Sequence, residues 1–238
     1  MGVVAALRME ARTLGPAVRR PDGLSALGNG TLLSLSGMGY AAATMGARNL
    51  IEAGVCALMS FGMAGGLDPR LGAGALVLPS AVISREGARI STSKAWHDRL
   101  RDAAVAAQLV VTDGELLTTL HSLDSVAAKS AALRDTGAVA VDMESLAVAE
   151  VAAGRNLPFV AVRVIVDTAL DELPGAVVAA SREGQVRIGQ LIGALALAPT
   201  ELMGLVRLAR RYRIAVRSLA AVARATRRTR YAVDVRAA

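Results

Sequence analysis

One cysteine, two histidines and six aromatic side chains are all that this 238-residue sequence holds of those types, and each scarcity excludes something. A lone Cys56 cannot form an internal disulfide; inside the apolar run Val55 to Phe61 it reads as a small core residue. His97 and His121 stand far apart, so no zinc site of the usual ligand spacing can be assembled, and no metal is expected. Phe61, Trp96, Phe159 and three tyrosines are too few for an aromatic sandwich around a flat ligand. They are also too few for the aromatic–basic interleaving of a single-strand nucleic-acid surface. No apolar run reaches the roughly 18 residues of a membrane span, and the first residues run from a short apolar stretch into Arg8 and Glu10. A secretory signal is therefore not expected, and the expected location is cytoplasmic. Neither a GxGxxG fingerprint nor a GKS/GKT phosphate loop occurs, so no dinucleotide or other cofactor is expected.

What the chain does have is apolar residues, 53% of the total, enough to bury the core of one α/β domain. Runs bounded by glycine at Val3–Ala6, Thr31–Leu35, Val55–Phe61, Ala75–Ile83, Ala138–Val141 and Phe159–Val166 read as buried strands. Alanine-rich stretches at Tyr40–Ala53, Ser125–Thr136 and Glu144–Ala153 read as helices between them. This alternation predicts a three-layer α/β/α fold around a central mixed, twisted sheet. Ligands in such folds gather where strands end.

The net charge of +7 is uneven. Residues 199–238 hold ten of the 27 basic residues and two of the 20 acids, which leaves 17 basic against 18 acidic residues elsewhere. The high isoelectric point thus belongs to a C-terminal stretch, and nucleic-acid binding by the whole protein is not implied. From Pro199 on, Leu202, Leu205, Ala209, Tyr212, Val216, Leu219 and Ala223 step by three and four residues along one helical stripe. Arg207, Arg210, Arg211, Arg213, Arg217 and Arg224 fall on the rest of the wheel. We expect one α/β domain over residues 1–198 and a basic amphipathic helical extension over 199–238. The extension packs on the domain or at an oligomer interface, or binds the inner face of an anionic membrane peripherally.

Three segments end strands on residues that carry chemistry. Gly62-Met63-Ala64-Gly65-Gly66-Leu67-Asp68-Pro69 follows an apolar run and offers backbone amides to a ligand. Val141-Asp142-Met143-Glu144-Ser145 leaves a strand and starts a helix, and Val162 to Asp167 ends its strand on a carboxylate. Judged singly, Glu144 could favour the positive end of its helix, Asp167 could cap a loop, and Glu10 could be a solvated helix-start residue.

Taken together, in order, these segments resemble the nucleoside phosphorylase and methylthioadenosine/S-adenosylhomocysteine nucleosidase superfamily. The likeness covers residues 3 to about 170: a first strand ending in Glu10, the Ser36-Gly37-Met38-Gly39 turn, the Gly-x-Ala-Gly-Gly-Leu segment, the Val-Asp-Met-Glu-Ser helix start and the strand ending in Asp167. The stretch Ala127–Glu144 and the arginine-rich end look most like the hopanoid-associated branch, whose implied substrate is adenosylhopane. The resemblance implies a homodimer in which Glu10 activates the attacking water, Met143 packs on the sugar, Glu144 binds ribose hydroxyls and Asp167 protonates the departing purine. Gly39, Met63, Ala64 and Gly65 would contact the substrate. The chemistry needs these types, because a carboxylate near the ribose stabilises the positive charge of the transition state and adenine departs readily only when protonated.

The sequence also departs from the family. Val166 and Met63 stand where relatives carry serine, or serine or threonine. Ser60 stands where phosphorylases of the superfamily keep an arginine, which favours water over phosphate, although Arg48, Arg85 and Arg89 leave phosphate open as a co-substrate. An aliphatic base pocket is expected near Leu120, His121 and Ser122, with His121 itself read as a loop residue more than as a contact to the base. The alternative from another class is a noncatalytic, membrane-associated nucleoside-binding protein of the same fold.

Overall fold

The computed structural model describes residues 1–172 and 199–227, apart from some side chains of residues 199–208. The chain opens with β1 (Gly2–Ala5), α1 (Arg8–Thr13), β2 (Val18–Arg19), β3 (Ser25–Gly28), β4 (Thr31–Leu35) and α2 (Tyr40–Glu52). It continues through β5 (Leu58–Gly66), β6 (Leu76–Val77), β7 (Ala81–Ile83), β8 (Arg89–Ser91), α3 (Lys94–Ala106), β9 (Val111–Thr112) and β10 (Glu115–Thr118). Then come α4 (Val126–Thr136), β11 (Ala140–Asp142), α5 (Ser145–Ala153), β12 (Phe159–Asp167) and α6 (Pro199–Ala225). Local chemistry sets several ends: Ser125 accepts the Ala128 amide to start α4, and Gly137 in a left-handed conformation stops it.

Twelve strands of the described residues join one mixed sheet in the order β2, β3, β4, β1, β5, β11, β10, β7, β8, with β12 paired to β5 and β6, and β6 to β9. The strand β5 organises it. Along one edge it runs parallel to β12 from Leu58 to Gly65. Its other edge is shared, with Leu58–Ser60 parallel to β1 and Gly65–Gly66 antiparallel to β11.

Helices cover both faces, as the alternation predicts. On one side Ala43, Ala47 and Leu50 of α2 and Leu146, Ala147, Ala149 and Ala152 of α5 pack on Leu58, Ala161 and Ile165. On the other, Trp96, Leu100 and Ala104 of α3 and Ala215, Leu219, Val222 and Ala223 of α6 pack on Met59, Phe61, Val160, Val162 and Val164.

Several expectations change. Ala75–Ile83 is two strands, because Leu78-Pro79-Ser80 breaks the ladder and β6 and β7 pair with different partners. The strand expected over Val55–Phe61 begins at Leu58 and runs through the glycine segment. Cys56 thus lies in the preceding turn and is exposed instead of buried in the core. The short strands β2, β3, β8, β9 and β10 and helices α1 and α3 were not among those read from the sequence. The basic C-terminal helix is present, but its inward face is centred on Ala215, Leu219, Val222 and Ala223, so it is a layer of the core. Ala209, expected on the apolar stripe, is exposed. Arg210, Arg213, Arg217 and Arg224 are exposed too; at about 100° per residue they lie opposite the buried face. Residues 173–198 and 228–238 lie outside the described residues. No helix of the described residues is long and apolar enough to cross a membrane.

Because Leu219 is fully buried between α6 and the sheet, Leu219→Ala is expected to lower unfolding stability by about 2–5 kcal/mol. Urea denaturation measures this; an unchanged midpoint would mean that the helix contributes nothing to the core.

Candidate active site

Where β5 leaves β1 and joins β11, the sheet opens into a crevice. Four loops and the ends of β5 and β12 meet there. The cavity, of about 200 Å³, is lined by Leu7, Glu10, Met38, Met63, Ala64, Gly65, Thr119, Ser122, Leu123, Val141, Met143, Glu144, Val166 and Asp167, among others.

Glu10 does not end the first strand; it is the third residue of α1 and 4% exposed. Its side chain folds back so that one oxygen accepts the Leu7 amide (2.9 Å) and the other the Met63 amide (2.8 Å). The first bond caps the glutamate's own helix and the second ties it to β5. Gly62 makes this approach possible: a Cβ there would lie 2.6 Å from both Glu10 Oε1 and an Arg163 terminal nitrogen. Burial raises the Glu10 carboxyl above its ordinary value, opposed by the Arg163 charge and the amides it accepts.

Beneath the crevice lies a buried polar network. Arg163 on β12 sits opposite Gly62 on β5. Its Nε donates to Asp142 (2.8 Å), and a terminal nitrogen donates to the hydroxyls of Ser60 (2.7 Å) and Ser145 (3.0 Å). Asp142 accepts the Ser145 amide at the start of α5 (3.1 Å) and the Thr118 hydroxyl (2.7 Å). Asp142, not Glu144, therefore caps that helix. Glu144 is freed to turn across the crevice, where Oε1 accepts the Gly39 amide at 2.8 Å. Gly39 has φ +94, a conformation that favours glycine and lets it begin α2 with its N–H aimed at the carboxylate. Burial and the neighbouring Asp142 charge push the Glu144 carboxyl up to about 7, against the pull of Arg163 and the Gly39 amide.

Asp167 comes from a different device. The β12–β5 register slips between Ile165 and Asp167, so Val166 is an extra residue and Asp167 lies opposite Gly65. Such a bulge re-aims a strand end. The close approach again uses a glycine, since a Cβ at residue 65 would stand 3.1 Å from Asp167 Oδ2. Lys129 of α4, wholly buried, reaches that same oxygen at 2.5 Å. Burial raises the Asp167 carboxyl and Lys129 opposes the rise. The loop-capping role open to Asp167 belongs to Asp171, which accepts the amide and hydroxyl of Thr168 (2.9 and 2.7 Å).

The crevice thus gathers Glu10, Met63, Ala64, Gly65, Met143, Glu144 and Asp167, while Gly39 stands behind, holding Glu144. Ser122 lines the pocket, but Leu120 and His121 face solvent, so the aliphatic wall is supplied by Leu123 and Val141 instead. Arg163, Asp142 and Lys129 were missed as site residues. For Arg163 and Lys129, a charge inside an apolar stretch or on an alanine-rich helix was the available signal.

A sequence profile of the phosphorylase superfamily matches residues 25–196, more than half of the chain. The chain belongs to that superfamily and has the fold of enzymes that cleave N-glycosidic bonds. Among solved structures, the methylthioadenosine/S-adenosylhomocysteine nucleosidase of Helicobacter pylori, bound to butyl-thio-DADMe-Immucillin-A, is 18% identical with a TM-score of 0.66, covering 83% of this chain and 97% of its own. The futalosine hydrolase of Helicobacter pylori is 20% identical with a TM-score of 0.66, over 83% and 97%. A candidate methylthioadenosine/S-adenosylhomocysteine nucleosidase from Francisella philomiragia is 17% identical with a TM-score of 0.71, over 98% of each chain. No curated protein matches the sequence.

The raised Glu144 value has a consequence for stability. The folded chain binds the Glu144 proton more tightly than the unfolded chain, whose carboxyl stays near 4.5. Stability from that proton is present below about pH 4.5 and is lost as pH rises through about 7. Glu144→Gln, which needs no proton, is expected to melt above the parent at pH 8, with the gap closing toward pH 5. Thermal melts at both pH values check this; the same gap at both would remove the buried charge as its cause.

Proposed function

We propose that this protein cleaves the N-glycosidic bond of an adenine nucleoside, with water as the nucleophile and adenine as the product. The observation that carries this reading is the convergence of Glu10, Glu144 and Asp167 on one crevice, each in a different electrostatic setting. The resemblance supplies the assignment of roles and the geometry supports it. Asp167, raised by burial, gives its proton to the base as the C–N bond breaks and the bonding electrons leave with the purine. The ionised Glu144 accepts hydrogen bonds from the ribose hydroxyls and stabilises the positive charge on the sugar. Glu10, oriented by two amides and strengthened as a base by burial, takes a proton from the water that adds to C1′. Met143 packs against the sugar. No cofactor takes part in this scheme.

Water is favoured over phosphate because the residues lining the crevice include neither arginine nor lysine among those described. Arg163 is committed to Asp142, Ser60 and Ser145. Arg89 pairs with Glu115, and Arg48 borders a separate depression beside Tyr40 and Glu150. Leu7, Met38, Met63, Leu123 and Met143 make an apolar mouth suited to a nucleoside with a large apolar 5′ substituent, and we take adenosylhopane as the substrate. The outward arginines of α6 would then hold the protein, as a homodimer on the cytoplasmic side, against an anionic membrane that delivers the lipid. In this scheme residues 1–198 carry the reacting groups and 199–238 serve membrane contact.

Adenine release from adenosylhopane, methylthioadenosine and adenosine, each with and without phosphate, is the test. Asp167→Asn is expected to lose roughly 10²–10⁴-fold of the rate, and release is expected to be indifferent to phosphate. Phosphate dependence would make the enzyme a phosphorylase; no release from any substrate would favour the noncatalytic binding protein. With Glu144 pushed up to about 7, kcat/KM is expected to climb as pH rises through that value, and a flat profile from pH 5 to 8 would contradict its role. Flotation on anionic vesicles addresses the membrane. Replacing Arg210, Arg213 and Arg217 with glutamate is expected to abolish partitioning, and equal partitioning of both proteins would end that part of the scheme.

A further inference from the structure

Lys129 has no role in the chemistry above, yet its side chain is fully buried and all three of its ammonium protons have an acceptor. They go to Asp167 Oδ2 (2.5 Å), the carbonyl of Thr168 (2.8 Å) and the carbonyl of Asp171 (2.9 Å). A lysine is expensive to bury, and one whose three donors are all satisfied is fixed in place. Among the described residues no other side chain bonds to Asp167, and none reaches Oδ1. The loop that follows is held as well: Asp171 caps Thr168 and pairs with Arg211 of α6. Among the described residues the charged groups around Asp167 are thus Lys129 from α4, Asp171 from the loop with Arg211 of α6 behind it, and, across the crevice, Glu10 and Glu144.

We infer that Lys129 is the positioning residue of the acid: by donating to Oδ2 it makes Oδ1 the oxygen that carries the proton to the leaving base, and it neutralises the carboxylate left behind. The step balances without a further reactant. The O–H bond at Oδ1 breaks, an N–H bond forms on the base, the C1′–N electrons stay with the base, and the aspartate charge is met by an ammonium already in contact. A pair arranged this way stabilises the transition state more than the ground state, because the anion develops only as the base departs. This inference rests on the N-glycosidic reading and deepens it.

A substrate whose leaving group needs no proton separates this role from bracing of the loop. Lys129→Met is expected to lower adenine release from the best nucleoside by roughly 10–10³-fold. It should leave release of 4-nitrophenol from 4-nitrophenyl β-riboside within about threefold of the parent. Equal losses on both substrates would overturn the inference. A lone buried carboxyl could also impair folding, so Lys129→Met is repeated in the neutral Asp167→Asn background. There it is expected to cause no further loss of adenine release, and additive losses would overturn the inference too. If the parent releases no adenine at all, the reaction is what fails. Carbon-13 NMR of the Asp167 carboxyl, identified by its absence in Asp167→Asn, then reads the pair without turnover. Its titration is expected to move up by about 1–3 pH units in Lys129→Met, and an unmoved titration would remove Lys129 as its electrostatic partner.

Discussion

Two of the three acids in the crevice, Glu10 and Glu144, depend on one buried guanidinium. Arg163 stands on β12 below the floor of the site, hydrogen-bonded to Asp142, Ser60 and Ser145 and in reach of the charges of Glu10 and Glu144. Three carboxylates buried so close together would repel strongly and could not all ionise. A single fixed cation among them lets two stay near the surface of the site while the third closes the ion pair beneath. Two glycine and serine positions on β5 serve the same end. Gly62 leaves space for the guanidinium and for Glu10, and Ser60 supplies a small acceptor where a larger side chain would occupy the arginine's place.

The second device is the partner change of β5. A strand that begins against β1 and finishes against β11 cannot keep a continuous ladder on that edge, and the gap is where Glu10, from the loop and helix after β1, faces Glu144, from the turn after β11. The bulge at Val166 brings Asp167 to the same gap from the other edge. Each acid is thus delivered by a separate irregularity in an otherwise regular sheet, and each is then locked by a backbone amide or a buried cation. Bland duties that these acids could have had are performed by neighbours: Asp142 caps α5 and Asp171 caps its loop.

The third layer of the structure explains the uneven charge. A basic C-terminal stretch looks detachable because its arginines dominate its composition. Once Ala215, Leu219, Val222 and Ala223 are seated against Phe61 and Val162, Arg210, Arg213, Arg217 and Arg224 are the outward half of a core helix. Arg211 leaves that surface to reach Asp171, so the same helix also steadies the loop beside the acid. Composition averages over a helix, whereas burial acts face by face.

The sequence by itself determined the layer architecture and singled out three of the acids that line the crevice. Period and composition separate strands from helices over Thr31–Leu35, Tyr40–Ala53 and Phe159–Val166, and the ordered glycine and acid motifs point to Glu10, Glu144 and Asp167. Those signals are local, because secondary-structure period and strand-end position are written in neighbouring residues. Only the tertiary structure decided which face Glu10 presents, that Cys56 is outside, that Leu120 and His121 turn away from the pocket, and that Lys129 and Arg163 are buried partners of the acids. Lys129 and Asp167 are 38 residues apart, and Gly39 and Glu144 are 105 apart. Nothing in local period links such positions; the packing of α4 and α2 against the sheet brings them together, and only there do a buried ammonium and a backbone amide bear on the protonation of Asp167 and Glu144.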